Sequence, residues 1–502
     1  MKLIVFFLFF LYVSSRLCCE KIEPFRLQFV SIDVPSREKI EPSRLQFVSI
    51  DVPSHEKIDS KTTNYNSIKD QMETKLFTDL VYPDGIYVSK VAQDIINTDW
   101  FQKLRYIRQL GICYFVFSSA STSRFEHSIG VYHFTGLMLN VLRNQDPDKI
   151  YYIPHYGPTK LTPEFIEKVK IAGLLHDVGH GPFSHLFDEL VEEKYPELHH
   201  EARSKIILEI VIKEKTKYTD IDILLMNNLI DPPEDCKNHF LFLIVANSVG
   251  GPDADKFDYL VRDSLQVGEG RPFEAGRIIN EIRLIDGKLA YPETVAHDIH
   301  KLFMTRHSLH KRVYGHETIK AIELMMKDIL KLIDPIIEMT DSVRDIRKFR
   351  KLTDDSLFRI FDLYDVNNLE DLEEHHRKNY KKAYEIYQRI ISRDLYKIVK
   401  PHQKYLEEVY HILKKMPKYI DELYMKKMKI GFTAPSKPQP FDKIYFYSPS
   451  TFKVYTKKPS EINSLVTDNY YEIFVLIIVR STSLVKDVEN DIEKIVEQLK
   501  NI

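Results

Sequence analysis

From Leu76 to about residue 330, apolar residues recur at the period of a helix rather than of a strand. Within Glu126–Leu142 the side chains of His127, Val131, Phe134, Met138 and Val141 fall on one stripe, so an imidazole opens an apolar face. Glu164–His180 repeats the pattern with Ile166, Val169, Gly173, His176 and His180, and the Gly179–Pro182 run is expected to end that helix. Residues 345–430 read as helical, charged and rich in Lys and Tyr, packed on the outside. After Pro435, Pro438 and Pro440 the pattern changes. Lys443–Tyr447, Phe452–Thr456 and Tyr470–Arg480 read as strands, before a charged final helix over Leu484–Leu499. The whole predicts a mainly α protein with a smaller α+β C-terminal lobe.

The N-terminus has another character. Met1-Lys2 leads into the apolar run Leu3–Val13, then Ser14-Ser15. A membrane span needs about 20 residues, so this run reads as a secretory signal over residues 1–19, cleaved near Ser15 or Cys19. Residues 21–38, KIEPFRLQFVSIDVPSRE, return at 39–56 with changes only at Phe25/Ser43 and Arg37/His55. Two copies are too few for a solenoid, which needs about three. The duplicated segment and linker (20–75) therefore read as an appendage to a core at 76–330 and an extension at 331–502.

Composition narrows the function classes. With 44% hydrophobic and 29% charged residues, the 502-residue chain has the balance of a globular protein with ample core material. A formal net charge of −2 gives no global basic field, so nucleic acid is not indicated as a partner. Of four cysteines, Cys18 and Cys19 lie in the leader. Only Cys113 and Cys236 remain, which excludes a disulfide framework or a cysteine-rich zinc site. The body has no Asn-x-Ser/Thr acceptor, which fits a cytosolic or nuclear core and pulls against the leader.

The candidate chemistry centres on Ile171–Asp188, IAGLLHDVGHGPFSHLFD, where a buried apolar run meets His176-Asp177. A buried imidazole beside a carboxylate is costly unless a metal compensates both. Separate segments supply His127 and Asp255, and two imidazoles with two carboxylates suit Mn, Fe, Zn or Mg. Asp255, Tyr259 and Asp263 share a helical face beside Lys256, and Arg306, His310 and Tyr314 repeat the spacing. Such faces offer cations for phosphate and polar groups for a sugar. His180, His185 and His200, the last followed by Glu201, are candidate proton donors near the metal. His133, His155, His239 and His297 have no such context.

RFEHSIGV, AGLLHDVGHGPFSHLFD, HHEARS, DADKFDYLVRD and TRHSLHKRVYGH, in that order and spacing, resemble the HD-domain phosphohydrolases. More narrowly, they resemble the deoxynucleoside triphosphate (dNTP) triphosphohydrolases of the type that joins a SAM domain to an HD domain. The resemblance runs from FQKLRYIRQLG (Phe101–Gly111) to about residue 330, with a looser echo at LTDDSLF (Leu352–Phe358). It implies an HD-domain helical core that splits dNTPs into deoxynucleoside and inorganic triphosphate. By the same resemblance His127, His176, Asp177 and Asp255 match metal ligands, and His185 the residue that protonates the 5′ oxygen. His180 and His200 match α-phosphate contacts, with Asp188 and Glu201 orienting them. Arg124, Lys256 and Arg306 match cations on the triphosphate. Gln109, Tyr259 and Asp263 match readers of the 3′-hydroxyl, and Tyr314 the residue that crowds out a 2′-hydroxyl.

The regulatory half of the resemblance is weaker. In that family guanine and deoxynucleotide effectors bind between subunits and drive tetramer formation, so a homo-oligomer, dimer or tetramer, is expected. Gln102 and Arg105 match part of the guanine-effector site, but Asn97 replaces an Asp and loses one acceptor for the guanine edge. Counting back from Arg306 puts Pro292 and Thr294 where the family carries cations, and Asp298 where it carries an amide. Glu317 stands where a lysine is expected, so control by GTP or dNTP is expected to be weakened. No SAM domain is visible ahead of the core. The family works in nucleus or cytosol, whereas the leader points to secretion. Two alternatives stay open: an HD-type hydrolase of another nucleotide, and a non-catalytic nucleotide- or nucleic-acid-binding relative.

Overall fold

The computed structural model describes residues 74–363, 369–370, 372–400, 405–433, 439–464 and 468–501. The expected signal segment and both copies of the duplicated stretch lie outside the described residues. A short antiparallel hairpin, β1 (Thr74–Phe77) with β2 (Ile86–Ser89), leads into α1 (Lys90–Ile96). The centre of the molecule is α2 (Arg124–Gln145), packed against α3 (Pro163–Leu175) across a mostly apolar contact that includes a Tyr132–Glu167 hydrogen bond of 2.8 Å. A second hairpin joins them, β3 (Ile150–Ile153) with β4 (Gly157–Lys160).

Both helices start where capping chemistry puts them. Ser123 precedes α2 and forms a capping box with Glu126, whose carboxylate accepts from the Ser123 backbone N–H at 2.9 Å. Thr162 caps α3, accepting from Phe165 N at 3.1 Å, and Pro163 takes the first turn, where it forfeits no hydrogen bond. The C-terminal end of α3 differs from the sequence expectation. The helix stops at Leu175, and His176–His180 continue as tight turns (Val178 N to Leu175 O 3.2 Å, His180 N to Asp177 O 3.1 Å). The turns bring His180 Nε2 to 3.4 Å and His176 Nε2 to 3.3 Å from Asp177 Oδ1.

Around this pair lie α4 (His185–Lys194), α5 (His200–Lys215), α6 (Asp220–Ile230), α7 (Ala254–Gln266), α8 (Ala296–Leu309) and α9 (Glu317–Ile337). Two glycines set the close approaches. A Cβ on Gly130 of α2 would lie 1.8 Å from Asp258 Oδ1 on α7. One on Gly179 would lie 2.3 Å from the His200 carbonyl at the start of α5.

The strands β5 (Arg283–Ile285) and β6 (Lys288–Pro292) belong to the helical core by sequence, yet share a sheet with β9 (Tyr445–Tyr447) and β10 (Val454–Tyr455). β6 and β9 run parallel, so the two halves of the chain are joined by backbone hydrogen bonds. Residues 345–430 depart most from expectation. They include α10 (Glu374–Ile391), β7 (Lys397–Val399), α11 (Leu406–Leu413) and the nine-residue strand β8 (Leu423–Gly431). α10 buries Tyr380, Ala383, Ile386 and Ile390, its contacts falling on α9, so it is no outer layer. β8 pairs over its whole length with β11 (Tyr471–Val479), in the order β7-β11-β8. Its lysines hid the strand, because the apolar alternation that marks one is missing from LYMKKMKIG. α12 (Val485–Lys500) covers the sheet, and Val409, Leu413, Ile477, Val479, Val488 and Ile492 form a small second core. The architecture is mainly α with this small α+β lobe. Among the described residues, no helix is long and apolar enough to cross a membrane.

Candidate active site

His127 on α2, His176-Asp177 after α3 and Asp255 on α7 converge. His127 Nε2 lies 3.4 Å from Asp177 Oδ2 and 3.2 Å from Asp255 Oδ1. His176 Nε2 lies 3.3 Å from Asp177 Oδ1 and 3.8 Å from Asp255 Oδ1. The other ring nitrogens are already engaged. His127 Nδ1 donates to Asp258 Oδ2 at 2.8 Å, and His176 Nδ1 donates to the Gly173 carbonyl at 2.8 Å. Those partners occupy the Nδ1 sides and turn both Nε2 atoms inward, where, against burial, the facing carboxylates raise the pKa of each ring. The buried His127 Nε2 has no hydrogen-bond partner among the described residues. The two Nε2 atoms and the Asp255 carboxylate form a cradle that can hold a divalent cation, with the Asp177 oxygens 3.4 and 3.3 Å from those nitrogens.

The electrostatics favour ionised carboxylates. Burial alone would raise the Asp177 pKa, but Arg124, His176 and His180 outweigh it and hold the group well below the usual range. Arg124 makes a close ion pair with Asp177 and also donates to Ser184 Oγ at 2.8 Å. Asp255 is likewise depressed against its burial, by His127 and His176.

A second group adjoins the first through His180, whose Nε2 is 3.4 Å from Asp177 Oδ1. Here three histidines turn Nδ1 toward one oxygen, Asp188 Oδ2: His180 at 3.0 Å, His185 at 3.6 Å and His200 at 3.5 Å. His180 and His200 stack with ring centroids 4.1 Å apart. His185 is 76% exposed and lines an open pocket beside Lys320 and Lys327. Burial opposes ionisation of Asp188, but His180, His185 and His200 overcome it and keep the carboxyl well below its normal value. Burial, then the neighbouring His180, pushes His200 well below the normal imidazole value. Glu201 is closer to His199 (2.9 Å) than to His200 (3.2 Å), so it serves both rings.

The substrate-side residues are placed less uniformly. Tyr314, in a π-helical turn over His310–Tyr314, donates to Asp263 Oδ2 at 2.6 Å. Burial raises the Asp263 pKa to about 7, against the pull of that hydrogen bond. Asp263 Oδ1 and Gln109 Oε1 are buried acceptors with no partner among the described residues. Tyr259 is partly buried one turn beyond Asp255. Lys256 is closely paired with Asp253, and Arg306 donates to the Gly431 carbonyl at 2.6 Å, tying β8 to the site.

Four supporting residues escaped the sequence reading. Asp258 takes the His127 proton while accepting from Tyr82 Oη at 2.5 Å and from Arg262 at 2.9 Å. Burial notwithstanding, Arg262 and His127 bring its pKa down to about 2. Asp258 follows Asp255 by three positions and precedes Arg262 by four, a spacing that could have exposed it. Asp354, within the LTDDSLF echo, accepts from Phe183 N at 2.7 Å and Arg108 N at 3.0 Å. It thereby holds Phe183 and Ser184, both at φ +57°, a region that non-glycine residues rarely adopt. Burial pushes its pKa up to about 6. Arg203, fully buried, pairs closely with Asp188 and donates to the Gly179 carbonyl at 2.8 Å. Lys103 donates to the His180 carbonyl at 3.1 Å.

Of the expected effector positions, Gln102 donates to the Ile96 carbonyl at 2.7 Å and accepts from Arg105 Nε at 2.8 Å. Arg105 also lies over the Phe125 ring. Glu317 pairs with Lys400 at 2.6 Å, and Asp298 with Arg277 at 3.1 Å. Pro292 and Thr294 line a cavity of about 550 Å³ whose cations are Arg277 and Arg283.

The HD domain family matches residues 124–234, the stretch that carries His127, His176-Asp177 and the second histidine group. An HD domain-containing protein of Acanthamoeba polyphaga mimivirus is 40% identical over 401 residues, covering 76% of this chain and 86% of that relative. The deoxynucleoside triphosphate triphosphohydrolase SAMHD1 homolog of Dictyostelium discoideum is 35% identical over 302 residues, 59% of this chain and 56% of that protein. The deoxynucleoside triphosphate triphosphohydrolase SAMHD1 of Bos taurus is 32% identical over 385 residues, 68% and 61% respectively. The chain thus spans little more than half the length of those two enzymes.

Proposed function

The chain belongs to the HD-domain family, and on that premise we propose that it hydrolyses dNTPs to deoxynucleoside and inorganic triphosphate. The observation that carries this reading is the adjacency of two unlike groups: a cradle with inward Nε2 atoms, and an exposed His185 backed by Asp188. The names of two relatives support the same substrate class.

When bound in the cradle, a divalent ion such as Mn, Mg, Fe or Zn supplies Lewis acidity toward a phosphoryl oxygen and lowers the pKa of water. The chain's own residues do the rest. Arg124, fixed by Asp177 and Ser184, offers its guanidinium to phosphate, with Lys256 and Arg306 as further cations. His180 and His200 line the α-phosphate. His185 gives its Nε2 proton to the departing 5′ oxygen, while Asp188 at its Nδ1 stabilises the imidazolium beforehand. Gln109 Oε1 and Asp263 Oδ1 face the 3′-hydroxyl, whose single hydrogen satisfies one of two buried acceptors that lack donors among the described residues. Tyr314, pinned by Asp263, narrows the space for a 2′-hydroxyl.

Control by GTP or dNTP is altered on this reading, because Asn97 lacks an acceptor for guanine and Glu317 presents a carboxylate already paired with Lys400. Purified full-length protein with Mn²⁺ or Mg²⁺ should release inorganic triphosphate from dNTPs, and the double substitution His176→Ala, Asp177→Ala should abolish it. Parallel assays on ribonucleotides and cyclic nucleotides, each with and without GTP, test the substrate class. Release from those alone would replace the reading with another nucleotide hydrolase, and dNTP binding without turnover would replace it with a binding protein.

A further inference from the structure

We propose that His155, Asp235 and Cys236 form a second metal site, on the surface, for Zn²⁺ or a similarly thiophilic divalent ion. None of these residues belongs to the HD cradle, and they come from two segments far apart in sequence. His155 sits in the turn of the β3–β4 hairpin, and Asp235-Cys236 in the DPPEDC loop after α6. His155 Nε2 is 3.2 Å from Asp235 Oδ2, and ligand atoms of all three side chains lie within 4.8 Å of one another. In a tetrahedral zinc site, bonds of about 2.0–2.3 Å put ligand atoms roughly 3.3–3.8 Å apart. Small side-chain rotations would therefore close the triad.

The chemistry of the set is selective. One thiol, one imidazole and one carboxylate match zinc, whereas Mg²⁺ requires an octahedron of oxygens. Both carrier segments are held in place. Cys236 N donates to the Pro233 carbonyl at 3.2 Å, and His239 N to the Cys236 carbonyl at 2.9 Å, closing successive turns after Pro232-Pro233. His155 occupies a left-handed conformation, φ +61°, which a non-glycine residue rarely takes. That conformation places its ring beside the loop. Cys236 Sγ contacts the Pro233 carbonyl at 3.7 Å and lies beside the Asp235 carboxylate, weak thiol contacts that an ion can displace. His155 and Asp235 are open to solvent, so water completes the coordination.

The sulfur ligand gives the site a signature that the HD cradle cannot produce. Co²⁺ titrated into full-length protein should develop a near-ultraviolet thiolate-to-cobalt charge-transfer band, and Zn²⁺ should remove it. Cys236→Ser should abolish the band, and His155→Ala should weaken cobalt affinity by more than about tenfold. Should Cys236→Ser fail to fold, alkylation of Cys236 in the unsubstituted protein keeps the test alive: Zn²⁺ should slow it at least about tenfold, and His155→Ala should remove that protection. Absence of a band, its persistence in Cys236→Ser, or undiminished affinity in His155→Ala would overturn the site.

Discussion

Two groups of histidines and carboxylates adjoin in the core, and composition alone does not tell them apart. One is His127, His176, Asp177 and Asp255; the other is His180, His185, His200 and Asp188. In the first, each imidazole spends Nδ1 on an outer partner, Asp258 or the Gly173 carbonyl, and turns Nε2 toward a common centre. In the second, three Nδ1 atoms face a single carboxylate oxygen, so the carboxylate is the hub and the rings radiate from it. The first arrangement gathers Nε2 atoms and carboxylates around a centre, whereas the second rings the buried Asp188 Oδ2 with imidazoles that make no aligned hydrogen bond to it, so its four side chains could also gather around an ion. Which nitrogen is engaged, rather than how many histidines are present, separates a cation cradle from a proton-handling relay.

The strongest test strikes the cradle. Asp177→Asn removes a ligand charge and leaves the buried Arg124 guanidinium without its ion pair. Triphosphate release should fall to background, and denaturant unfolding should show a loss of about 3–5 kcal/mol, as for other broken buried pairs. Retained activity would remove Asp177 from the cradle. The matching test on the relay is His185→Ala. The ring is exposed and stacks on nothing apolar, so stability should hold while kcat drops by about 10²–10⁴. Mn²⁺ should still raise the melting temperature of this variant. If that stabilisation disappears with His185, the two groups are one metal site and the comparison collapses.

A smaller effect tests the outer partner. Asp258→Asn keeps the shape but offers His127 a weaker acceptor, beside Arg262 and Tyr82 that also lose theirs. Metal affinity, read from calorimetric Mn²⁺ titration, should fall by about 10–100-fold. Unchanged affinity would show that the tautomer of His127 is set by something other than Asp258.

Much of this site was legible before any coordinates, for a physical reason. Ligands held on helices obey fixed spacings, so His127 at the head of an apolar stripe and Asp255-Tyr259-Asp263 along one face are visible in the chain. What stayed hidden depends on distant partners. Asp354 steadies the turn at Phe183 from 171 residues away, and the LTDDSLF echo marks its segment without telling what it holds. Strand β8 escaped because its exposed lysines erase the two-residue alternation, and only pairing with β11 reveals it. The early end of α3 was missed because the apolar period continues past Leu175 while the backbone does not. His155 looked unremarkable until the fold brought Cys236 beside it.

The gentlest test asks whether the relay holds one imidazole neutral. The folded pKa of His200 lies well below that of an unfolded histidine, about 6.5, because burial and then His180 oppose its charge. Below pH 6.5 the unfolded chain therefore binds a proton that the folded chain refuses. This contribution leaves stability whole above pH 6.5 and erodes it as pH falls toward the folded pKa, with a slope of at most about 1.4 kcal/mol per pH unit. His200→Gln should lose that component, so the urea midpoints of the two proteins should run parallel above pH 6.5 and change their separation as pH falls below it. Parallel curves throughout would mean that folding leaves the His200 pKa unshifted, so that its burial beside His180 and Asp188 does not hold this imidazole neutral.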